Sequence, residues 1–502
     1  MASGIDRRAF VSSAAAGGVF SIVPRPVLGG AGYVAPSDKI TFAHIGMGTQ
    51  SFTELAGLLA DPAIQIVAVC DPNRSTNDYV EWGKGSIRNT IRRILGKPDW
   101  QANETGCPGG RDIGKEVIDA YYAKQRGKDQ FRAVNAYADF RELLEKERDI
   151  DAVKVMTPDH LHATVAVAAM KKGKHVMMHK PLANRMFEAR LVIETARKTR
   201  LATHFLPYGA GEGNRRIAAR IKEGVIGNLR EVHNWSNRPV WPQYTEIPKE
   251  TPPIPPGFDW DLWLGPSLER PYHPNYTHAV FRGWYEFGGG SMADMGIYSL
   301  WPVFTEFNLG TPLSAHAWAT HTNMIDEQVS KRRKNDFAFP AACTIHFTFA
   351  SGLHLFWYDG GMKPRLPEEL DAANLDWPIE GILFVGDQGK IFAGFNGQEP
   401  QLAMKGKIGP LFPNDPPSAT ERRRAGEDPS ARNAVWRASF QGGPASPGSF
   451  LNASGISDAV TLGTVSLRAG KKVVLDSEKM KITNAPEANQ YLVREYRKGW
   501  EL

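Results

Sequence analysis

Gly46-Met47-Gly48 closes the apolar run Lys39 to Ile45, and a lone acid, Asp71, closes the next such run, Ile64 to Cys70. Between them, Phe52 to Ala60 carries a helical pattern. Residues of these types at this spacing hold a dinucleotide. Gly46 permits the tight turn, and Gly48 lets the backbone approach a pyrophosphate seated on the helix N-terminus, where Thr49 and Gln50 follow. Asp71 is expected to accept hydrogen bonds from ribose hydroxyls and to repel a 2′-phosphate, which favours NAD over NADP. Ser51 stands where a third glycine belongs, and it is small enough to keep helix and strand in contact. The expected cofactor is NAD.

The elements that must position these residues alternate. After an insertion from about Pro72 to Phe131, rich in Gly, Arg and Lys, comes a helix at Asp139 to Lys146. Strand Ala152 to Met156, helix Leu161 to Lys172, strand His175 to Met178, helix Asn184 to Thr199 and strand Leu201 to Phe205 complete the run. Such alternation gives a parallel sheet with helices on both faces. From Tyr208 onward the pattern changes: helix Glu212 to Glu223, strand Leu229 to Trp235, a proline-rich loop from Arg238 to Pro256, then strand-like runs Cys343 to Phe349, Leu353 to Trp357 and Ile382 to Val385. The fold class expected is α/β: an N-terminal Rossmann dinucleotide-binding domain and a C-terminal α+β domain with a mainly antiparallel open sheet.

Composition sets limits. The 502 residues suffice for two full cores, and 42% hydrophobic with 23% charged residues is ordinary for a globular chain. The formal charge of +6 is dispersed, since Lys331 to Lys334 and Arg422 to Arg424 lie far apart, so no nucleic-acid partner is expected. Cys70, Cys107 and Cys343 show neither metal nor redox spacing, and no metal is expected.

Asp6-Arg7-Arg8-Ala9-Phe10-Val11 precedes a weakly apolar run, Ser12 to Val23, with small residues around Gly29 to Ala35. That order of charged, apolar and small zones reads as a twin-arginine export signal, removed on maturation. The run is too short to span a bilayer. The expected location is the periplasm or outside the cell, with the twin-arginine translocase as a partner and no membrane anchor in the mature form. That route carries folded proteins, so the cofactor is expected to be bound before export.

The chain resembles the Gfo/Idh/MocA oxidoreductases through Gly46-Met47-Gly48, Asp71, Thr157-Pro158-Asp159-His160-Leu161-His162, Lys180-Pro181 and the segment Gly288 to Gly296. Ser236 to Pro242, Asp259 to Pro266 and Arg282-Gly283-Trp284 are similar to an exported branch of it. The resemblance implies a lysine beside the nicotinamide and the substrate hydroxyl, completed by an aspartate and a residue four further on: Lys180, Asp294 and Tyr298. Lys180 is expected as the acid/base, Asp294 as the group orienting the hydroxyl and Tyr298 as proton donor or relay. His179 replaces the family's usual glutamate and Tyr298 its usual histidine. The cofactor contacts expected beyond Asp71 are Thr157, Asp159, His162, His179 and Lys180; those to substrate are Arg238, Trp241 and Tyr358. The nicotinamide cation and, when protonated, His179 would lower Lys180; an adjacent Lys180 could equally lower Tyr298, but Lys180 ranks first as the acid/base.

The domain boundaries expected are 1–35 for the signal, 36–207 for the Rossmann domain, 208–480 for the substrate domain and 481–502 for a tail, in a homo-oligomer. The function expected is NAD-dependent oxidation of a secondary hydroxyl of a sugar, glycoside or cyclitol. Two alternatives stand beside it. One is a glycosidase that oxidises transiently at carbon 3, eliminates and re-reduces; the other is a non-catalytic carbohydrate-binding homologue.

Overall fold

The computed structural model describes residues 38–127, 134–209, 211–333, 335–414 and 429–502. The expected export signal lies outside them. Strand β1 (Ile40–Ile45) leads through helix α1 (Thr49–Leu59) to β2 (Ile64–Cys70), which pairs in parallel with β1. The insertion is not shapeless. It folds as β3 (Thr76–Tyr79), α2 (Ser86–Leu95), β4 (Cys107–Gly109) and α3 (Arg111–Gln125), with β3 and β4 antiparallel. Helix α3 crosses over to β5 (Asn135–Tyr137), a three-residue strand too short to show periodicity in the sequence. Helix α4 (Phe140–Lys146), β6 (Ala152–Val155), α5 (Asp159–Lys171), β7 (His175–Met178), α6 (Met186–Thr199) and β8 (Thr203–Phe205) then follow.

The sheet order is β5-β2-β1-β6-β7-β8. The chain therefore runs outward from β1 in one direction and resumes at β6 in the other. Ligands bind at such a switch point, outside the carboxyl ends of the two central strands. Gly46 follows β1 and Thr157 follows β6, one on each side of it.

The second domain begins with α7 (Glu212–Lys222) and β9 (Leu229–Trp235). A short helix α8 (Trp260–Leu264) and a longer α9 (Ile297–Glu306) precede β10 (Ser314–Ala319), β11 (Asn323–Asp326), β12 (Val329–Arg332), β13 (Cys343–Thr348) and β14 (His354–Tyr358). Short α10 (Glu368–Ala372) leads to β15 (Gly381–Gly386), β16 (Lys390–Gly394), β17 (Gln401–Met404) and β18 (Lys407–Pro410). Helices α11 (Pro429–Phe440) and α12 (Ser454–Ala469) and strands β19 (Val473–Asp476) and β20 (Lys481–Ile482) follow. Ten strands form one sheet, β18-β17-β16-β15-β9-β14-β13-β10-β19-β20. All its paired neighbours with a given register are antiparallel except β14 and β9. One face buries Ile345, Phe347, Leu355 and Trp357 against Ile297, Leu300 and Trp301 of α9 and Ile456 and Val460 of α12.

Two boundaries differ from expectation. Helix α11 returns to the Rossmann domain: Trp436 and Phe440 pack on Phe42, and Arg437 pairs with the buried Asp61 at 2.5 Å. The last residues are not a tail. β20 extends the sheet, and buried Arg494 bonds Glu188 at 2.6 Å, Ser267 at 3.1 Å and the side chain of Asn184. An arginine so placed locks α6 to the second domain, because removing either partner would leave a buried charge alone. Among the described residues no helix is long and apolar enough to cross a membrane.

Candidate active site

The glycine turn fits a dinucleotide. Gly46 has φ +95°, and a Cβ there would lie 2.5 Å from the Met156 carbonyl oxygen, so no side chain is tolerated. Gly48 caps α1 without any side-chain acceptor, so no side chain occupies the first amides of the helix where an anion would sit. Ser51 donates its hydroxyl to the Gly46 carbonyl at 2.6 Å, filling the third-glycine position without crowding it. A cleft runs over this turn, lined by Gly46, Gly48, Thr49, Gln50, Asp71 and Thr157 among others. The Thr157 hydroxyl is buried and has no partner, a second opening for a ligand. These residues would hold NAD.

Asp71 does more than expected. Its carboxylate accepts from the amides of Met47 at 2.7 Å and Asn73 at 2.8 Å, so it also fixes the turn; burial pushes its pKa up. Tyr79, from the insertion, packs against Gly48, and His278, from the second domain, lies 4.0 Å from its ring. Both line the cleft. Neither was identified from the sequence, because only folding brings the insertion and that loop together.

Lys180 follows β7, two residues beyond its end, at the ligand edge of the parallel sheet. Asp294 lies opposite, in a π-helical turn (Met292–Gly296) that widens the start of α9, the kind of irregularity that gathers at functional sites. The turn is tied to the first domain because the Gly289 amide donates to Asp159 at 2.9 Å. Lys180 Nζ meets Asp294 Oδ1 at 2.5 Å, and both side chains are buried. Burial and the Arg282 charge lower the Lys180 pKa, against the pull of Asp294. Burial alone would raise Asp294, but Lys180, Arg282 and Arg238 hold it ionised far below the usual carboxylate range.

Tyr298 sits one turn on, with its ring 5.1 Å beneath Lys180 Nζ and its hydroxyl 2.8 Å from His179 Nε2. His179 Nε2 lies 3.4 Å from Glu54 Oε1, and Glu54 is held by Lys154 at 2.7 Å and by Gln50 at 3.0 Å. This polar line reaches from the site to α1, the helix that starts at the glycine turn. Neither of the two pKa effects open from the sequence operates here. Burial drives His179 down to about 3, so it is neutral and does not push Lys180. Burial also drives Tyr298 well above 10, with Glu54 and Asp294 reinforcing it, so the phenol is not lowered by Lys180.

Other expected residues move. The ring nitrogens of His162 lie 2.5 Å from the Pro181 carbonyl and 2.8 Å from the Thr157 carbonyl; burial lowers its pKa, and the neutral ring donates to one of the two, which braces the Lys180 segment. Asp159 holds the Gly289 turn instead. Trp241 is buried against Gly283 and does not line the cleft. Tyr358 is on the wrong side of the sheet: its hydroxyl lies 2.9 Å from His233 Nδ1, while its neighbour Trp357 packs against Gly296 of the π turn. Arg238 Nε lies 3.0 Å from Asp294 Oδ2. Glu54, Lys154 and Arg282 carry electrostatics that residue reading did not assign. Among the described residues no group of three potential metal ligands forms.

Comparison with known proteins places this architecture. A family model described as an oxidoreductase family C-terminal alpha/beta domain matches residues 225–502, and one for the NAD-binding Rossmann fold of an oxidoreductase family matches 115–205. A glycosyl hydrolase family 109 protein of Shewanella baltica (strain OS195) is 24% identical over 215 residues, which is 42% of this chain and 38% of that protein. Levoglucosan dehydrogenase of Pseudarthrobacter phenanthrenivorans is 31% identical over 120 residues, 22% of this chain and 30% of that one. The matches thus span well under half the length of these curated relatives. The WlbA dehydrogenase from Bordetella pertussis, solved with NADH and UDP-GlcNAcA, superposes with a TM-score of 0.51 at 13% identity, covering 87% of this chain and 99% of that one. These structures share a fold.

Proposed function

The chain belongs to the Gfo/Idh/MocA oxidoreductase family, and on that premise we propose that it oxidises a secondary hydroxyl of a sugar, glycoside or cyclitol with tightly held NAD. The observation that carries this reading is the buried Lys180–Asp294 pair at the end of β7, beside the glycine-turn cleft. NAD, when bound, supplies the hydride acceptor. Lys180 takes the hydroxyl proton, a task that needs a pKa nearer the working pH than an ordinary lysine's, and its burial shifts it that way. Asp294 orients the hydroxyl, and the neutral Tyr298 hydroxyl donates or relays a proton. Arg238 contacts the substrate. A dehydrogenase and a glycosyl hydrolase family 109 protein both stand among the relatives, so a redox-neutral glycosidase remains the second reading.

The test is to release and identify the nucleotide from gently purified protein, then to analyse products from a panel of glycosides. NAD in the protein and a keto sugar in the product are expected. Free sugar without net redox change would favour the glycosidase, and NADP or no nucleotide would contradict both.

Export through the twin-arginine route is part of the proposal, motivated by Arg7-Arg8 and the run behind them. Replacing both arginines with lysine is expected to leave folded, NAD-loaded, uncleaved protein in the cytoplasm. Normal export of that variant, followed by cell fractionation and blotting, would remove the signal from the account.

A further inference from the structure

Three cations converge on one carboxylate. Lys180 Nζ, Arg238 Nε and Arg282 Nε stand 2.5, 3.0 and 3.2 Å from the oxygens of Asp294, and all four side chains are largely buried. Asp159 adds a second negative charge that acts on Arg282 and Lys180. Glu54 does not change the balance, because Lys154 pairs with it at 2.7 Å. Glu380 is taken by the Ser236 hydroxyl and the Asn237 amide. While Lys180 is protonated, three positive charges thus face two negative ones before any ligand enters; once it is neutral the charges balance, and the two arginine forks remain to receive an anion. An oxidised nicotinamide would widen the excess.

Unmatched charge in a buried site is costly unless a counter-charge arrives. Both guanidinium groups have capacity to receive one. Arg238 uses Nε on Asp294 and Nη1 on the Asn237 side chain, and Arg282 uses Nε on Asp294 and Nη1 on the Ala279 carbonyl. An arginine fork matches a carboxylate in shape as well as sign. Beside it stands Trp82 of the insertion, 54% exposed, with its ring centre 5.9 Å from the Arg238 guanidinium carbon. An exposed indole next to a cation offers a flat apolar face for a sugar ring.

We propose that the substrate is an acidic sugar, its carboxylate held between Arg238 and Arg282 and its ring or substituent stacked on Trp82. The inference rests on the sugar-oxidising reading above and narrows its substrate class. The surplus charge has one other candidate source of anion, the cofactor's pyrophosphate, since Arg282 also lines the nucleotide cleft.

The test uses nucleotide-bound enzyme and two matched pairs: methyl β-D-glucuronide with methyl β-D-glucoside, and methyl α-D-galacturonide with methyl α-D-galactoside. Binding is read from the fluorescence of the reduced cofactor, and turnover from its absorbance. The acid of at least one pair is expected to bind on the order of 10-fold tighter than its neutral partner, the scale of a charged hydrogen-bonded contact. Arg238→Gln should abolish that preference and Arg238→Lys should keep most of it, with bound nucleotide in both as the check on folding. Equal or weaker binding of both acids, or no binding of either, would overturn the inference. So would an Arg282→Gln enzyme that sheds nucleotide while the acid preference stays unchanged, since the anion would then be the pyrophosphate. Turnover of a neutral glycoside without acid preference would sink the acidic substrate and leave the dehydrogenase standing. Tight acid binding without cofactor reduction in any sugar would do the reverse.

Discussion

Lys180→Met is expected to abolish reduction of the bound nicotinamide while the protein still carries its nucleotide. The lysine acts on the hydroxyl proton, and the pyrophosphate is left to the amides after Gly48 and the turn that Asp71 fixes. Methionine keeps the length and apolar bulk of the side chain but cannot take a proton. Losing a positioned base costs on the order of 10²- to 10⁴-fold, and here Asp294 also loses the nearest of its three cations. The pH profile gives an independent reading. Lys180 works as a base only when neutral, so the rate of hydride transfer should rise with pH through its pKa. Burial and Arg282 bring that limb below the ordinary lysine value, and the limb should vanish in the variant. Single-turnover absorbance across pH, with nucleotide content by mass spectrometry, checks both. A variant with near-normal turnover would move the base elsewhere.

Tyr298→Phe should cost on the order of 10²-fold in turnover, about 2.7 kcal/mol of barrier, with little change in melting temperature. The substitution removes one oxygen, 2.8 Å from His179, and keeps a ring that packs against the core. Because burial holds the phenol protonated, the loss should be flat across neutral pH rather than appearing as a missing basic limb. That separates it from Lys180→Met. Full activity in Tyr298→Phe would make the residue a packing aromatic and leave Lys180 and Asp294 to do the chemistry.

The parts of the site that were legible lie close together in sequence or on a motif. Gly46, Gly48 and Asp71 stand in one strand-helix-strand unit, and the sheet pairs β1 with β2 as that unit requires. Lys180 and Asp294 were found through the family resemblance, and folding brings them to 2.5 Å. Glu54 was invisible because, four residues along α1 from Gln50, it reads as an ordinary helix-surface acid; only the fold turns it toward His179 and Lys154. Arg282 belongs to a motif, but its role depends on where the short 3-10 helix His278–Gly283 packs, which no local pattern fixes. Tyr358 failed by parity. Successive strand residues face opposite sides, so the right strand with the wrong neighbour gives the wrong face. The bond of Arg494 to Glu188 joins residues far apart in the chain, beyond the reach of local pattern.

The most direct measurement of the central claim follows an isotope. The purified, nucleotide-bound protein is incubated with ring-deuterated sugars, acidic and neutral, and the nucleotide is then extracted and weighed by mass spectrometry. Hydride abstraction by this site predicts deuterium in the nicotinamide of the wild type and none in Lys180→Met. An unlabelled nicotinamide in the wild type with every sugar, including any that binds, would contradict a redox role and leave a binding protein built on an oxidoreductase fold.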